Sequence, residues 1–176
     1  MHWVVLFAPL VAVFFIVPAI GAGPSKPIAL GLLVGFAALM GLSLSVIFAV
    51  YTMMSIVNAF MGAAVLFGVM SVYGYFTRTD LSHVGQMATV ALIAIIIVSL
   101  INLFIGSSLL QMIVSAVAIL VFLALTAYDT QTIREQIMEG DDDTAVEVLG
   151  ALTLYLDFIN LFINLLQLFG ISNSDD

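Results

Sequence analysis

Asp129 and Asp157 are carboxylates set at or inside long apolar runs of a chain in which 8% of residues are charged and 64% hydrophobic. An acid at the centre of a membrane-spanning helix costs roughly 2.5–3.5 kcal/mol on insertion scales, so one found there usually has a role beyond packing. The two flank a single polar loop, one near the end of a span and the other within the next. Carboxylates about 4 Å apart repel by roughly 4 kcal/mol at an effective dielectric near 20. The pair is therefore expected to hold one proton between its members and to titrate as a unit. Sharing the proton draws the two helices together. Losing it leaves two anions that repel or take up a hard cation such as calcium, which favours carboxylate oxygens. The chemistry expected is a proton-sensitive gate on a cation path, with Asp129 and Asp157 as sensor and as calcium ligands.

Other polar side chains fall into line with these acids. Gly150, Thr153, Asp157, Asn160, Asn164 and Gln167 recur at spacings of three and four, along one side of a helix. Such a stripe cannot face lipid along its whole length, which makes the last helix central or cavity-lining. A plainer reading is that Asn160, Asn164 and Gln167 are interhelical hydrogen-bond glue, each worth roughly 1 kcal/mol. Gln111 lies eighteen residues before Asp129, about five turns, and so shares its face, with Ser115 close to the same line. Asp129 also has a plain alternative, as a solvated interfacial acid in the polar run Thr130-Gln131-Thr132 ahead of Arg134. His83, just after the loop holding Arg78 and Asp80, reads as a solvated interfacial histidine, and His2 is terminal.

Six apolar segments are long enough to cross the hydrocarbon core as helices: residues 3–22, 28–50, 55–76, 84–105, 108–128 and 145–169. Gly23-Pro24-Ser25-Lys26-Pro27 stops the first. Thr77-Arg78-Thr79-Asp80 is a polar loop in which Thr79 or Asp80 caps the following helix. Breaks at residues 51–54 and at Gly106-Ser107 are weaker. The fifth helix is expected to leave the membrane and run to Glu139, before Gly140 ends it. That places Asp129 roughly 15 Å from the end of its helix and Asp157 roughly 18 Å into the next, at one depth. Gly31 and Gly35 form a GxxxG pair, continued one face over by Ala37 and Gly41, and with Gly62 and Gly68 they are expected to bring helices close. Lys26, Arg78 and Arg134 fall in the first, third and fifth loops, so that face is read as cytoplasmic and both termini as outside. Three cations would share a face by chance about one time in four.

Composition narrows the function classes. The mean hydropathy of +1.28 belongs to an integral membrane protein, and 176 residues make one transmembrane domain, 1–176. The net charge of −8 comes largely from six acids between Glu135 and Glu147, and three cations make no basic surface for nucleic acid. Having no cysteine, the chain has no disulfide, thiol catalysis or thiolate metal site. The first apolar run lacks the basic leader of a signal peptide and is read as a retained span.

The segments Leu125-Thr-Ala-Tyr-Asp-Thr-Gln131 and Gly150-Ala-Leu-Thr-Leu-Tyr-Leu-Asp-Phe-Ile-Asn160-Leu-Phe resemble the signature of the transmembrane Bax inhibitor motif family. Tyr73-Gly-Tyr-Phe-Thr-Arg-Thr-Asp-Leu81 and Gly41-Leu-Ser-Leu-Ser45 are similar to its prokaryotic branch, and the likeness covers roughly residues 27–170. The resemblance implies an all-α bundle whose last helix is enclosed by the others, in a prokaryotic inner (plasma) membrane. It further implies a pH-sensitive calcium leak with Asp129 and Asp157 as its sensor, no cofactor, and no enzymatic activity. Family members are also tied to suppression of cell death in eukaryotes and to restraint of a membrane-bound ATP-dependent protease in bacteria. The family pattern has seven spans against six counted here, the first being the one without a counterpart. The basic residue that the family uses as a latch in an early helix is also missing, since spans one to three hold no Lys or Arg.

Two other readings stand beside the leak. A regulator would bind and restrain a membrane protein partner, with the acidic stretch from Glu135 to Glu147 as its contact. An intramembrane aspartyl protease would likewise use a Tyr-Asp in one span and an acid in the next. However, Leu-Tyr-Leu-Asp157 lacks the Gly-x-Gly-Asp loop, and the chain lacks the Pro-Ala-Leu element of those enzymes.

Overall fold

A computed structural model describes residues 2–140 and 144–170, with side chains described from residue 12 onward. Asp141–Asp143, Asp175, Asp176 and the side chain of His2 lie outside the described residues. Among the described residues every regular element is a helix: α1 (His2–Gly21), α2 (Lys26–Leu44), α3 (Ile47–Val50), α4 (Met53–Phe76), α5 (Ser82–Ile105), α6 (Ser108–Met138) and α7 (Thr144–Phe169). Five stretches are long and apolar enough to span a membrane: Lys26–Val50, Met53–Phe76, Ser82–Ile105, Ser108–Met138 and Thr144–Phe169. The backbone of α1 adds a sixth helix of 20 residues, about 30 Å long and enough to cross.

The turns follow the local chemistry. Gly23, Gly106 and Gly140 take φ of 74°, 69° and 80°, a left-handed backbone that glycine adopts without a Cβ clash. The second span is helical with a flaw. The Ser45 hydroxyl donates to Leu42 O at 2.6 Å, and bonds from Phe48 N to Ser45 O and from Ala49 N to Val46 O tighten the chain to i→i+3 spacing before α3. Tyr51 is extended, and the Thr52 hydroxyl accepts from Ser55 N to start α4. Ser107 starts α6 in the same way, accepting from Leu110 N. As expected, α6 runs far past the apolar stretch and stops at Gly140.

The last helix is the central one. It packs against α1, α2, α4 and α6, whereas α5 packs on α6 and α1 pairs with α2. Two buried clusters meet on it. One joins Leu161, Phe162, Leu165 and Leu166 of α7 to Ala59 and Ala63 of α4 and to Phe122 and Leu125 of α6. The other joins Ala145, Val148, Leu152 and Ile159 of α7 to Phe36 and Met40 of α2. Phe158 and Ile163 belong to the edges of both. The outer faces carry large bare apolar side chains, Phe104 being 92% exposed, as a lipid-facing surface requires.

The glycines that bring helices together are not the ones expected. Nothing lies within 4 Å of a Cβ built on Gly31, Gly35, Gly41 or Gly68, and Gly62 meets Leu165 Cδ1 only at an ordinary 3.6 Å. The GxxxG pair of α2 sits on the outside of the bundle. Among the glycines within helices the close approaches are at Gly74, Gly85 and Gly150. A Cβ on Gly74 would stand 2.2 Å from Ala127 O, one on Gly85 2.5 Å from the Tyr128 ring, and one on Gly150 3.1 Å from Ile133 Cγ1. All three receive α6, within the stretch that carries Asp129.

Candidate functional site

Asp129 points from α6 and Asp157 from α7, and their carboxyl groups lie within hydrogen-bonding distance of each other. Asp157 is 4% exposed, and Asp129 is half-buried. Oδ2 of Asp157 is enclosed without a donor. The packing that produces this contact is local. Gly150, seven residues before Asp157 on the same face, lets the Ile133 side chain lie against the α7 backbone, so the two helices approach closely about one turn from Asp129 and two from Asp157.

The polar stripe of α7 divides. Gln167 makes interhelical bonds, accepting from Gln111 Nε2 and from Ser115 Oγ, both at 3.0 Å. Thr153, Asn160 and Asn164 do not act as glue in this way. They are half-buried and donate to the carbonyls of Leu149, Leu156 and Asn160 within α7, at 2.9, 2.8 and 2.8 Å. The stripe thus connects two polar centres, the acid pair at the inner level and the Gln111–Ser115–Gln167 cluster at the other end of α6 and α7. Asn102, not anticipated from the sequence, joins the second. It is buried, its side chain brackets both main-chain groups of Ser107, and its Nδ2 reaches Gln111 Oε1 at 3.5 Å.

Gln131 is the second residue that sequence reasoning missed. Read as part of a solvated polar run, it is 4% exposed. Its Oε1 accepts from Leu81 N at 2.9 Å, and its Nε2 donates to Thr79 O at 2.7 Å. Arg134, one turn on, donates from Nη1 to Tyr75 O and places its guanidinium 5.9 Å from the centre of the Tyr75 ring. In the same turn the carboxylate of Asp80 accepts from Ser82 N at 2.9 Å and from its hydroxyl at 2.6 Å, which holds it below the usual aspartate range. Asp80 thus holds Ser82, the first residue of α5, but the N-cap position is taken by Leu81 with no side-chain cap, so neither Thr79 nor Asp80 is the cap expected.

Among the described residues no third His, Cys, Asp or Glu joins the two acids to complete a metal cluster. Calcium takes six to eight oxygens, and two carboxylates supply at most four. The remainder would have to come from water, backbone or amide oxygens.

A polytopic bundle of apolar helices of spanning length, with two acids meeting between its last two helices, defines an integral membrane protein. Comparison with known proteins makes the class specific. The family described as inhibitor of apoptosis-promoting Bax1 matches residues 1–174. The inner membrane protein YbhL of Escherichia coli is 49% identical over 140 residues, covering 77% of this chain and 60% of its own. An uncharacterized protein of Deinococcus radiodurans is 39% identical over 168 residues, with 94% of this chain and 71% of that one covered. A membrane protein of Streptococcus pyogenes is also 39% identical, over 166 residues, with 93% and 72% covered. The chain belongs to the Bax inhibitor-1 family and is a multi-pass inner-membrane protein. It spans 60% of the length of its Escherichia coli relative.

Proposed function

We propose that this protein is a proton-sensitive calcium leak in which Asp129 and Asp157 form the gate, and that it is not an enzyme. The observation that carries the reading is the meeting of two carboxyl groups from α6 and α7 inside the bundle, within hydrogen-bonding distance. While the pair shares a proton, α6 and α7 stay drawn together and the path is shut. When the proton leaves, two charges about 4 Å apart repel by roughly 4 kcal/mol, enough to shift a two-state equilibrium several hundredfold. Calcium entering between the acids replaces the lost proton and is passed on. Thr153, Asn160, Asn164 and Gln167 line its way along α7 toward Gln111 and Ser115.

The test is calcium uptake into liposomes holding the full chain, measured as a function of pH. Asp157→Asn and Asp129→Asn are each expected to change the flux and to flatten its dependence on pH. Flux unaltered in both variants refutes the gate. Restraint of a membrane protein partner remains a second reading on family grounds. Copurification that survives Asp157→Asn but fails when Asp141–Asp143 are neutralised would favour it. Cleavage of a membrane substrate that vanishes in Asp157→Asn would instead revive the protease.

A further inference from the structure

Asp129 and Gln131 are two residues apart, so their side chains leave α6 in directions about 200° apart. The first reaches α7. The second reaches the opposite way, into the turn between α4 and α5, where both ends of its amide are used on main-chain groups, Leu81 N and Thr79 O. A buried amide with both ends satisfied by backbone holds its helix in rotation as well as in position, because either bond is lost if the helix rolls. The geometry is demanding. A roll of 20° moves an atom about 6 Å from the axis by about 2 Å, enough to break a carboxyl–carboxyl contact. The surroundings of Gln131 make the turn a rigid support. Gly74 lies against Ala127 O, Gly85 lies against the ring of Tyr128, and Arg134 binds Tyr75 O. The helix is thus gripped from behind over two turns, with Asp129 projecting from the free side.

We infer that Gln131 is a positioning residue for the acid pair: by pinning α6 to the α4–α5 turn it sets the rotation at which Asp129 meets Asp157. The inference deepens the gate reading and depends on it only for the flux measurement. Anything that displaces the α4–α5 turn pulls on this amide, and through it on the rotation of Asp129.

The chain contains no cysteine, so introduced pairs report unambiguously. A pair at 133 and 150 reads the inner α6–α7 contact, where the Gly150 Cβ position lies 3.1 Å from Ile133 Cγ1. A pair at 115 and 167 reads the outer contact, where Ser115 Oγ and Gln167 Oε1 are 3.0 Å apart. Gln131→Met keeps the volume and loses both bonds. It is expected to slow the inner cross-link about tenfold or more, with the outer one unchanged. Gln131→Glu keeps the acceptor for Leu81 N and should fall between Met and the parent. An inner rate in Gln131→Met equal to the parent overturns the inference. So does equal slowing of both cross-links, which marks general loosening of the bundle. If the inner cross-link alone slows and calcium flux stays at the parent level, the positioning role stands and the leak reading falls.

Discussion

Replacing Gly74 by alanine tests the seat on which the acid pair rests. The added Cβ would stand 2.2 Å from Ala127 O and 2.9 Å from both the carbonyl carbon and Cα of that residue. These are backbone atoms in the middle of α6 and have no rotamer into which to retreat. To restore an ordinary contact near 3.4 Å, α4 must move off α6 by about 1.2 Å, and the dispersion contacts along that seam weaken with it. Overpacking of this kind costs typically 1–3 kcal/mol, and the upper half of that range fits a clash with main chain. For a chain of this length each kcal/mol moves the melting temperature by roughly 2–4 °C, so Gly74→Ala should melt about 5–10 °C below the parent. The assay is the fraction of detergent-solubilised protein that stays monodisperse after heating. Gly35→Ala is the control, since nothing lies within 4 Å of its Cβ position. There the gain in helix propensity, about 0.5–1 kcal/mol, should leave stability unchanged or slightly higher. If Gly74→Ala melts within a degree of the parent, or Gly35→Ala falls as far as it does, the close approach of α4 to α6 is not what supports this region.

Two further expectations concern the ends of the helices. Asp80 is fully exposed, and its carboxylate is held below its usual range by the Ser82 hydroxyl and N–H. Its hold on Ser82 is therefore complete above the ordinary aspartate range and is lost as pH falls through the lowered value. The protection of amides in the first turn of α5, taken relative to their intrinsic exchange at each pH, should fall as pH drops from about 5 to about 3 in the parent but not in Asp80→Asn. Lys26 Nζ meets Glu147 Oε2 at 3.2 Å with both side chains well exposed, a pair worth at most about 1 kcal/mol. Glu147→Gln should lower the melting temperature by less than about 4 °C. A larger drop would mean that the bridge holds the start of α2 on α7 more firmly than a solvated pair can.

Much of the fold was legible because lipid imposes a simple rule: apolar runs of sufficient length become helices, and glycine, proline and hydroxyl residues end them. The pairing of Asp129 with Asp157 was legible for the same reason, since helical rise alone puts the two acids at one depth. Tertiary detail was not. The GxxxG spacing of Gly31 and Gly35 is a pattern within one helix and says nothing of whether a neighbour lies there. Gly74 and Gly85, isolated in sequence, are the ones against which α6 lies, because the turn between α4 and α5 folds back on it. Asn160 and Asn164 share a face with Asp157, but a half-buried asparagine can satisfy its donor on the carbonyl four residues back, and both do. Gln131 resembled its polar neighbours Thr130 and Thr132. Its partners, Thr79 O and Leu81 N, are main-chain atoms some fifty residues away, and no side-chain pattern records them.

The hairpin of α1 and α2 adjoins the rest of the molecule through α7, the same helix whose other flank receives α4 and α6. A tilt of that one rod would therefore be felt on both flanks at once. Phe158 and Ile163, shared by the two clusters, are the teeth through which one flank would turn the other.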